Sequence, residues 1–153
     1  GWGLFDSRNR YEDLKELDRS RFVDTASGWF SRGDSDVESL HVYFRPVRLP
    51  RSEKPLVLSE FGGYSWKIQG HAFNLEKTYG YRYFEDGASF MDALEALYRT
   101  EIIPAKDRGL CAAVYTQLSD VEDETNGLVS YDRAVCKADK TRMRAIGQEL
   151  THF

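Results

Sequence analysis

Glu60 is the residue of this sequence best placed to do chemistry. It ends the apolar run from Pro55 to Glu60 and is followed closely by Gly62 and Gly63. A carboxylate in this position is costly to desolvate, and acids so placed act as nucleophiles or as general acids and bases. The same glutamate could instead form a salt bridge with Arg or Lys at the end of a strand. Spacing alone supports the two interpretations equally.

The apolar pattern predicts the elements that must position Glu60. The run Pro55 to Glu60 is short, continuous and bounded by Pro and Gly, which is typical of a parallel strand covered on both faces. Leu110 to Thr116 predicts a second such strand, and Arg21 to Thr25 and Val37 to Phe44 predict two weaker ones. Helical periodicity predicts helices over Asp6–Leu17, Ser89–Ala105 and Lys140–Leu150, and a long aromatic and polar loop over Gly62–Gly87.

The composition excludes several classes of function. With 153 residues, 41% of them hydrophobic, the chain matches one ordinary domain with a core. The net charge is −4, and no basic cluster is interleaved with aromatic residues, so we expect no nucleic-acid partner. No run approaches the ~18 apolar residues of a membrane-spanning helix, so no membrane partner is expected either. Cys111 and Cys136 are too few for a disulfide framework, and no pattern indicates a metal or a cofactor.

The predicted elements do not make a complete fold. Four parallel strands with helices between them would leave two open sheet edges and an uncovered face, which natural proteins seldom tolerate. We therefore expect residues 1–153 to form a single α/β domain, the C-terminal half of a (β/α)8 TIM barrel with strands five to eight. The start at Gly1 indicates an excised piece or a processed product of a longer protein. Its partner would be the missing N-terminal half of the barrel or, in a homodimer, a second copy joined through the exposed edges.

In a TIM barrel the active site lies just past the C-terminal ends of the strands. Here this rule selects four segments, which are Asp24 to Ser27, His41 to Phe44, Glu60 to Tyr64 and Thr116 to Glu122. Candidate site residues should therefore be sought in these segments.

The strand Leu56 to Gly62, with Ser59-Glu60-Phe61-Gly62 at its end, resembles the nucleophile strand of family 2 glycoside hydrolases. That family includes β-galactosidases, β-glucuronidases and β-mannosidases. Other segments resemble one bacterial branch of this family in the expected order. Gly1 to Asp6 is similar to the segment after the Asn-Glu pair of the fourth barrel strand, and Arg21 to Trp29 and His41 to Phe44 are similar to the fifth and sixth strands. Val114 to Glu122, with Asn126-Gly127, is similar to the eighth strand and its loop. Many barrel glycosidases of this clan carry Trp at the end of the eighth strand, where this chain has Thr116-Gln117-Leu118, and this departure bears on the sugar preference.

The resemblance implies hydrolysis of β-glycosides by a retaining double displacement. Glu60 would attack the anomeric carbon to form a glycosyl-enzyme ester, which water then hydrolyses. A second carboxylate about 5–5.5 Å away acts first as acid and then as base. The resemblance assigns it to the Glu of the Asn-Glu pair, immediately before Gly1. The chain alone is therefore expected to be inactive or nearly so, because general acid–base catalysis contributes roughly 10²–10⁴-fold. The cytoplasm is the favoured compartment of this bacterial-type enzyme.

Supporting residues follow from the same resemblance and from residue type. Related enzymes suggest that Tyr43 hydrogen-bonds to Glu60, although it could also be a tyrosine packed at the barrel rim. His41 could contact a sugar hydroxyl or be a hydrogen-bonded structural histidine, and Gln117 is a further candidate for binding the substrate. The tryptophans could stack on a pyranose, although packing is the commoner use of such rings; they are Trp2, Trp29 and Trp66.

The acidic run Asp120 to Glu124 is expected to be a solvated loop, unless one of its carboxylates binds sugar hydroxyls. A different class of function also stays open. The chain could belong to a carbohydrate-binding or structural module that has lost catalysis. A parent protein without a Glu before Gly1 would favour that alternative.

Overall fold

The computed structural model describes residues 6–25, 28–30 and 33–152. In chain order its elements are α1 (Ser7–Leu17), β1 (Glu38–Val42), β2 (Leu56–Gly62), β3 (Tyr64–Trp66), β4 (Arg82–Phe84), α2 (Gly87–Leu97), a π-helical turn (Tyr98–Ile102), α3 (Ile103–Lys106), β5 (Leu110–Thr116) and α4 (Lys140–Thr151). Three strands form a parallel sheet in the order β1-β2-β5, and β3 pairs with β4 in a separate parallel sheet. Within these described ranges no helix is both long and apolar enough to cross a membrane.

The core forms where one face of the three-stranded sheet meets the helices. Strand β2 contributes Leu58 and Phe61, helix α2 contributes Phe90 and Leu94, and helix α4 contributes Ile146; all five are almost fully buried. Full burial of such a side chain stabilises a fold by about 1.5–3 kcal/mol. The strands predicted at Pro55–Glu60 and Leu110–Thr116 and the helix predicted from Ser89 thus supply this core.

The predicted half of a TIM barrel is wrong. The described part of the chain is a small mixed α/β domain with short parallel sheets, without a closed barrel or the four-stranded sheet expected for strands five to eight. The predicted strand Arg21–Thr25 does not form, because side chains take its backbone donors. Asp36 Oδ2 accepts the N–H of Val23 at 2.8 Å, and Ser35 Oγ accepts the N–H of Thr25 at 3.0 Å. The segment is therefore held by the loop before β1 and does not pair with β1 as a strand.

Helix α1 matches its prediction in position but not in how it is held. Two members of its predicted apolar face are open to solvent: Leu14 is 48% exposed and Leu17 is 83% exposed. Polar contacts attach the helix instead. The phenol of Tyr11 donates to Asp36 at 2.7 Å, and Lys15 Nζ lies 2.7 Å from the same carboxylate.

The helix predicted over Ser89–Ala105 is confirmed but is not uniform. It starts at Gly87 because Asp86 is its cap and accepts the N–H of Ser89 at 2.8 Å. A π-helical turn follows α2 and ends just before Pro104. Because Pro104 has no N–H, the α-helical bond to the carbonyl four residues earlier cannot form, and the ladder is disturbed there. The last predicted helix is found as α4.

The segment after β5 folds around a buried ion pair. Lys137 Nζ lies 2.6 Å from Asp120 Oδ1, and both side chains are almost fully buried. The same Asp120 oxygen accepts the N–H of Gly127 at 2.8 Å, and Lys137 also donates to the carbonyl of Thr125 at 3.0 Å. Burial raises the pKa of Asp120 and lowers the pKa of Lys137, and each charge opposes the shift of the other. One member of the acidic run is therefore a structural residue.

Candidate functional site

Glu60 lies on the open face of the sheet. Regular alternation along its strand would instead have pointed its side chain into the core. Leu56 and Leu58 are buried core residues, so strict alternation would bring Glu60 to the same face. Instead Phe61 takes the next core position at 1% exposure, and the Glu60 side chain is 44% exposed. The strand thereby avoids the large penalty of burying an unpaired carboxylate.

A bulge in β2 resets this alternation. On the β1 side, Leu40 pairs with Leu58, but the next residue, His41, pairs with Glu60, which leaves Ser59 as the extra residue. The pairing with β5 shifts over the same stretch of β2. Bulges of this kind re-aim a side chain and are common beside active sites. Here the bulge brings Glu60 and His41 side by side.

Two side chains contact one oxygen of Glu60. The Tyr43 hydroxyl donates to Glu60 Oε2 at 2.6 Å, and His41 Nδ1 lies 3.1 Å from the same oxygen. The Thr116 hydroxyl lies 2.9 Å from that of Tyr43; because the phenol has a single proton, Thr116 is the donor of this pair. Glu60 Oε1 has no hydrogen-bond partner among the described residues, so one carboxylate oxygen is fixed and the other is free.

Both side chains that contact Glu60 are neutral near neutral pH. Burial, together with the hydrogen bond to Glu60, raises the pKa of Tyr43 far above its usual range. Burial lowers the pKa of His41 and outweighs the opposite effect of the Glu60 charge. His41 Nε2 is buried without a partner in the described part of the chain. The carboxylate is thus oriented without being neutralised by a cation.

The two glycines after Glu60 permit a second aromatic ring to lie over Tyr43. Gly62 and Gly63 both have positive φ, at 89° and 66°, which favours glycine. A Cβ on Gly63 would collide with the ring of Tyr81, and a Cβ on Gly62 would collide with that of Tyr115. Tyr81 stacks on Tyr43 with ring centroids 3.8 Å apart and 9° between the planes. This stack fixes the phenol that donates to Glu60.

Exposed aromatic rings continue outward from this stack. Phe44 is 73% exposed and meets Tyr81 edge-on, with ring centroids 5.1 Å apart. Tyr79 is 52% exposed, and its ring lies 5.9 Å from that of Tyr81. An aromatic wall formed by Phe44, Tyr79 and Tyr81 therefore flanks the Glu60 site.

The predicted tryptophans lie in different places. Trp29 lies beside the site, half-exposed, with its ring edge-on to His41 at 6.2 Å. Trp66 packs on the core, where its ring lies 6.0 Å from Phe90. Trp2 lies outside the described residues. Only Trp29 is therefore brought to the candidate site within the described part of the chain.

Gln117, predicted to bind substrate, follows Thr116 and donates through its side chain to Asn126 at 2.8 Å. Two residues of the site were not assigned a role from the sequence. Thr116 had a signal, since it ends a clearly predicted strand whose neighbour carries Glu60. Tyr81 had none beyond its aromatic surroundings, because its contact with Tyr43 joins two loops through tertiary packing.

The chain matches no protein-family model, and no curated protein is similar enough in sequence to count as a relative. The resemblance to family 2 glycoside hydrolases therefore stays a prediction. Within the described residues no group of three or more His, Cys, Asp or Glu could hold a metal ion. The geometry itself is a half-exposed carboxylate with one oxygen contacted by Tyr43 and His41 and the other oxygen without a partner among the described residues.

Proposed function

We propose that Glu60 is the nucleophile of a retaining hydrolase that cleaves β-glycosides. The observation that carries the proposal is the asymmetric environment of its carboxylate. Oε2 accepts the Tyr43 hydroxyl and lies 3.1 Å from His41 Nδ1, while Oε1 has no partner within the described ranges. A nucleophile needs both properties, because orientation reduces the entropy to be lost on reaction and a free lone pair must reach the substrate.

In the proposed reaction Oε1 of Glu60 forms a bond to the anomeric carbon while the bond to the leaving oxygen breaks. The leaving group takes a proton from a second carboxylate, and that carboxylate then removes a proton from the water that hydrolyses the ester. In the family that the sequence resembles, this second residue belongs to an Asn-Glu pair that aligns before Gly1. The proposal therefore concerns the natural full-length protein.

Neutral donors suit this chemistry better than a cation would. A buried salt bridge would hold the negative charge of Glu60 and reduce its nucleophilicity, whereas Tyr43 and His41 orient the carboxylate without cancelling its charge. The same donors can stabilise Glu60 when it leaves the ester as a carboxylate. Exposed rings beside the site support a sugar ligand, because pyranose faces pack on aromatic rings.

Covalent trapping tests the proposal directly. We expect the full-length protein to react with a deoxyfluoro β-glycoside that carries a dinitrophenyl leaving group, because such a leaving group needs little acid assistance. A panel of galactosides, glucuronides and mannosides covers the open question of the sugar. Peptide mapping by mass spectrometry should find the glycosyl label on Glu60.

Glu53→Gln, at an exposed glutamate before the same strand, is the matched control and should label normally, while Glu60→Gln should not label. A label on another residue would contradict the assignment of Glu60. Sugar binding without any label or turnover would favour the non-catalytic carbohydrate-binding module instead.

A further inference from the structure

A cavity of about 370 Å³ adjoins the candidate site but does not include Glu60. Tyr43 and Tyr81, the stacked pair that holds Glu60, form one wall of it. Phe44, Arg45 and Arg82 also line it. A group bound in this cavity would therefore contact the same aromatic pair that orients the carboxylate.

Two guanidinium groups at this cavity have no anionic partner. Arg82 lies over two rings, with its guanidinium carbon 5.4 Å from the ring centre of Tyr64 and 5.0 Å from that of Phe84. Within the described ranges the side chains of Arg82 and Arg45 make no salt bridge and no hydrogen bond. The cavity thus brings together two planar guanidinium groups, each of which can bind a carboxylate in two-point contacts.

One carboxylate also lines the cavity and must be counted. Glu101 Oε2 accepts the backbone N–H of Val47 at 2.7 Å, so part of its hydrogen-bonding capacity is already used. Together with Arg45 and Arg82, the charged side chains that line the cavity sum to one positive charge. Glu101 should thus weaken the binding of an anion without preventing it.

We infer that this cavity binds a ring that carries a carboxylate, and that in the proposed glycosidase it receives the leaving group of the substrate. The assignment of the bound group as the leaving group rests on the proposed function, whereas the binding of a carboxylated ring does not. Phe44 and Tyr81 offer apolar ring faces, and Arg45 and Arg82 offer the charge, so the site selects a uronic acid or a carboxylated aryl group over a neutral ring. Tyr43 lines this cavity and also contacts Glu60. It therefore connects the group bound in the cavity to the bond that breaks when Glu60 attacks.

A pair of matched leaving groups tests the selection. In the full-length protein, hydrolysis of a para-carboxyphenyl β-glycoside should exceed that of the para-carbamoylphenyl β-glycoside, which differs chiefly in charge. Arg82→Gln and Arg45→Ala should each lower kcat/KM for the charged substrate by about tenfold, the effect of losing one hydrogen bond to a charged group, and leave the neutral substrate within about twofold. Arg51→Ala, at an exposed arginine of another surface, should change neither.

Removal of the opposing charge gives the reverse effect. Glu101→Gln should increase the preference for the charged leaving group, because the carboxylate no longer repels it. Equal rates for the two leaving groups, or a preference that survives both Arg82→Gln and Arg45→Ala, would overturn the inference.

Direct binding separates this inference from the proposed function. Titration of the Glu60→Gln protein with benzoate and with benzamide, followed by calorimetry, requires no turnover. Benzoate binding that Arg82→Gln abolishes, together with no glycoside hydrolysis by the wild-type full-length protein, would support the cavity and refute the glycosidase. Hydrolysis of neutral aryl glycosides without selective benzoate binding would support the glycosidase and refute the cavity.

Discussion

Glu60 and Asp120 are carboxylates that lie near the same end of neighbouring strands, β2 and β5, yet their surroundings are opposite. Asp120 is almost fully buried and pairs with the Lys137 cation and the N–H of Gly127. Glu60 is 44% exposed, and within the described ranges its contacts are the hydroxyl of Tyr43 and Nδ1 of His41, with no lysine or arginine beside it. The first carboxylate is compensated by a cation in the interior, and the second faces solvent with one oxygen free of hydrogen bonds to the described residues.

The difference teaches how to separate a structural acid from a reactive one. A buried ion must be compensated on all sides, since an unpaired charge in the interior is strongly destabilising. Such compensation leaves nothing for a ligand. An acid that reacts has to stay incompletely satisfied, and the bulge at Ser59 makes this tolerable by turning Glu60 away from the core.

The largest expected effect follows from removal of the Glu60 charge. Glu60→Gln keeps the shape and an acceptor for Tyr43 and His41, so we expect the free energy of unfolding to stay within about 0.5 kcal/mol of wild type. Glycoside hydrolysis should fall by at least about 10⁴-fold, since no other group supplies the nucleophile. Steady-state kinetics and urea unfolding of the same samples measure both quantities. Normal turnover in Glu60→Gln would show that Glu60 is not the nucleophile, and the contrast with Asp120 would lose its functional meaning.

Lys137→Met should have the opposite pattern. It leaves Asp120 buried without its cation, and we expect a loss of about 3–5 kcal/mol in the free energy of unfolding. Because burial already raises the pKa of Asp120, the variant should take up a proton there, and its stability should rise at lower pH relative to wild type. Lys140→Met, at an exposed lysine, is the control and should change stability by less than about 0.5 kcal/mol.

The double variant Asp120→Asn with Lys137→Met sharpens this result. It removes both charges and keeps an acceptor for the N–H of Gly127, so it should recover most of the stability lost in Lys137→Met. If the single variant were as stable as the control, Asp120 could not be the compensated carboxylate that the comparison requires.

Tyr43→Phe probes the donor that orients Glu60. The phenol contributes a hydrogen bond to a charged group, and its loss should lower the rate of covalent labelling by about 10–100-fold. The stack on Tyr81 needs only the ring, so stability should change little. Tyr83→Phe, at an exposed tyrosine, serves as the control. An unchanged labelling rate would assign Tyr43 to packing alone.

The sequence predicted the central elements of the fold because their signals are local. The continuous apolar run of β2 and the helical period from Ser89 need only nearby residues to be recognised. The bulge at Ser59 depends on pairing with two neighbouring strands, and regular alternation would have buried Glu60. The strand predicted at Arg21–Thr25 fails for a related reason, since the side chains of Ser35 and Asp36 compete for its backbone.

Prediction of the site followed the same division. Glu60 was predicted from its place at the end of an apolar run. Tyr43 was predicted from the resemblance to a glycosidase family, and the geometry around Glu60 does not test that family assignment. Tyr81 could not be found in this way, because its stacking on Tyr43 depends on a close approach over Gly63. A contact between two loops produces no periodic pattern in the sequence, so periodicity cannot predict it.

Asp36 gives the smallest expected effect and lies between the two extremes, because it is paired with a cation yet partly exposed. The hydrogen bond from Lys15, with help from those of Tyr11 and Val23, lowers the pKa of Asp36 from 3.8 to about 2. A folded-state pKa below the unfolded value means that ionised Asp36 stabilises the fold above pH 3.8 and that this contribution is lost as the pH falls to about 2. Because the pair is partly exposed, we expect it to contribute about 1 kcal/mol.

Urea unfolding at neutral and acidic pH should show a smaller acid destabilisation in Asp36→Asn than in wild type or in the exposed control Asp13→Asn. The same acid dependence in all three proteins would mean that solvent screening cancels the pair, and α1 would then need another attachment, since its Leu14 and Leu17 are exposed.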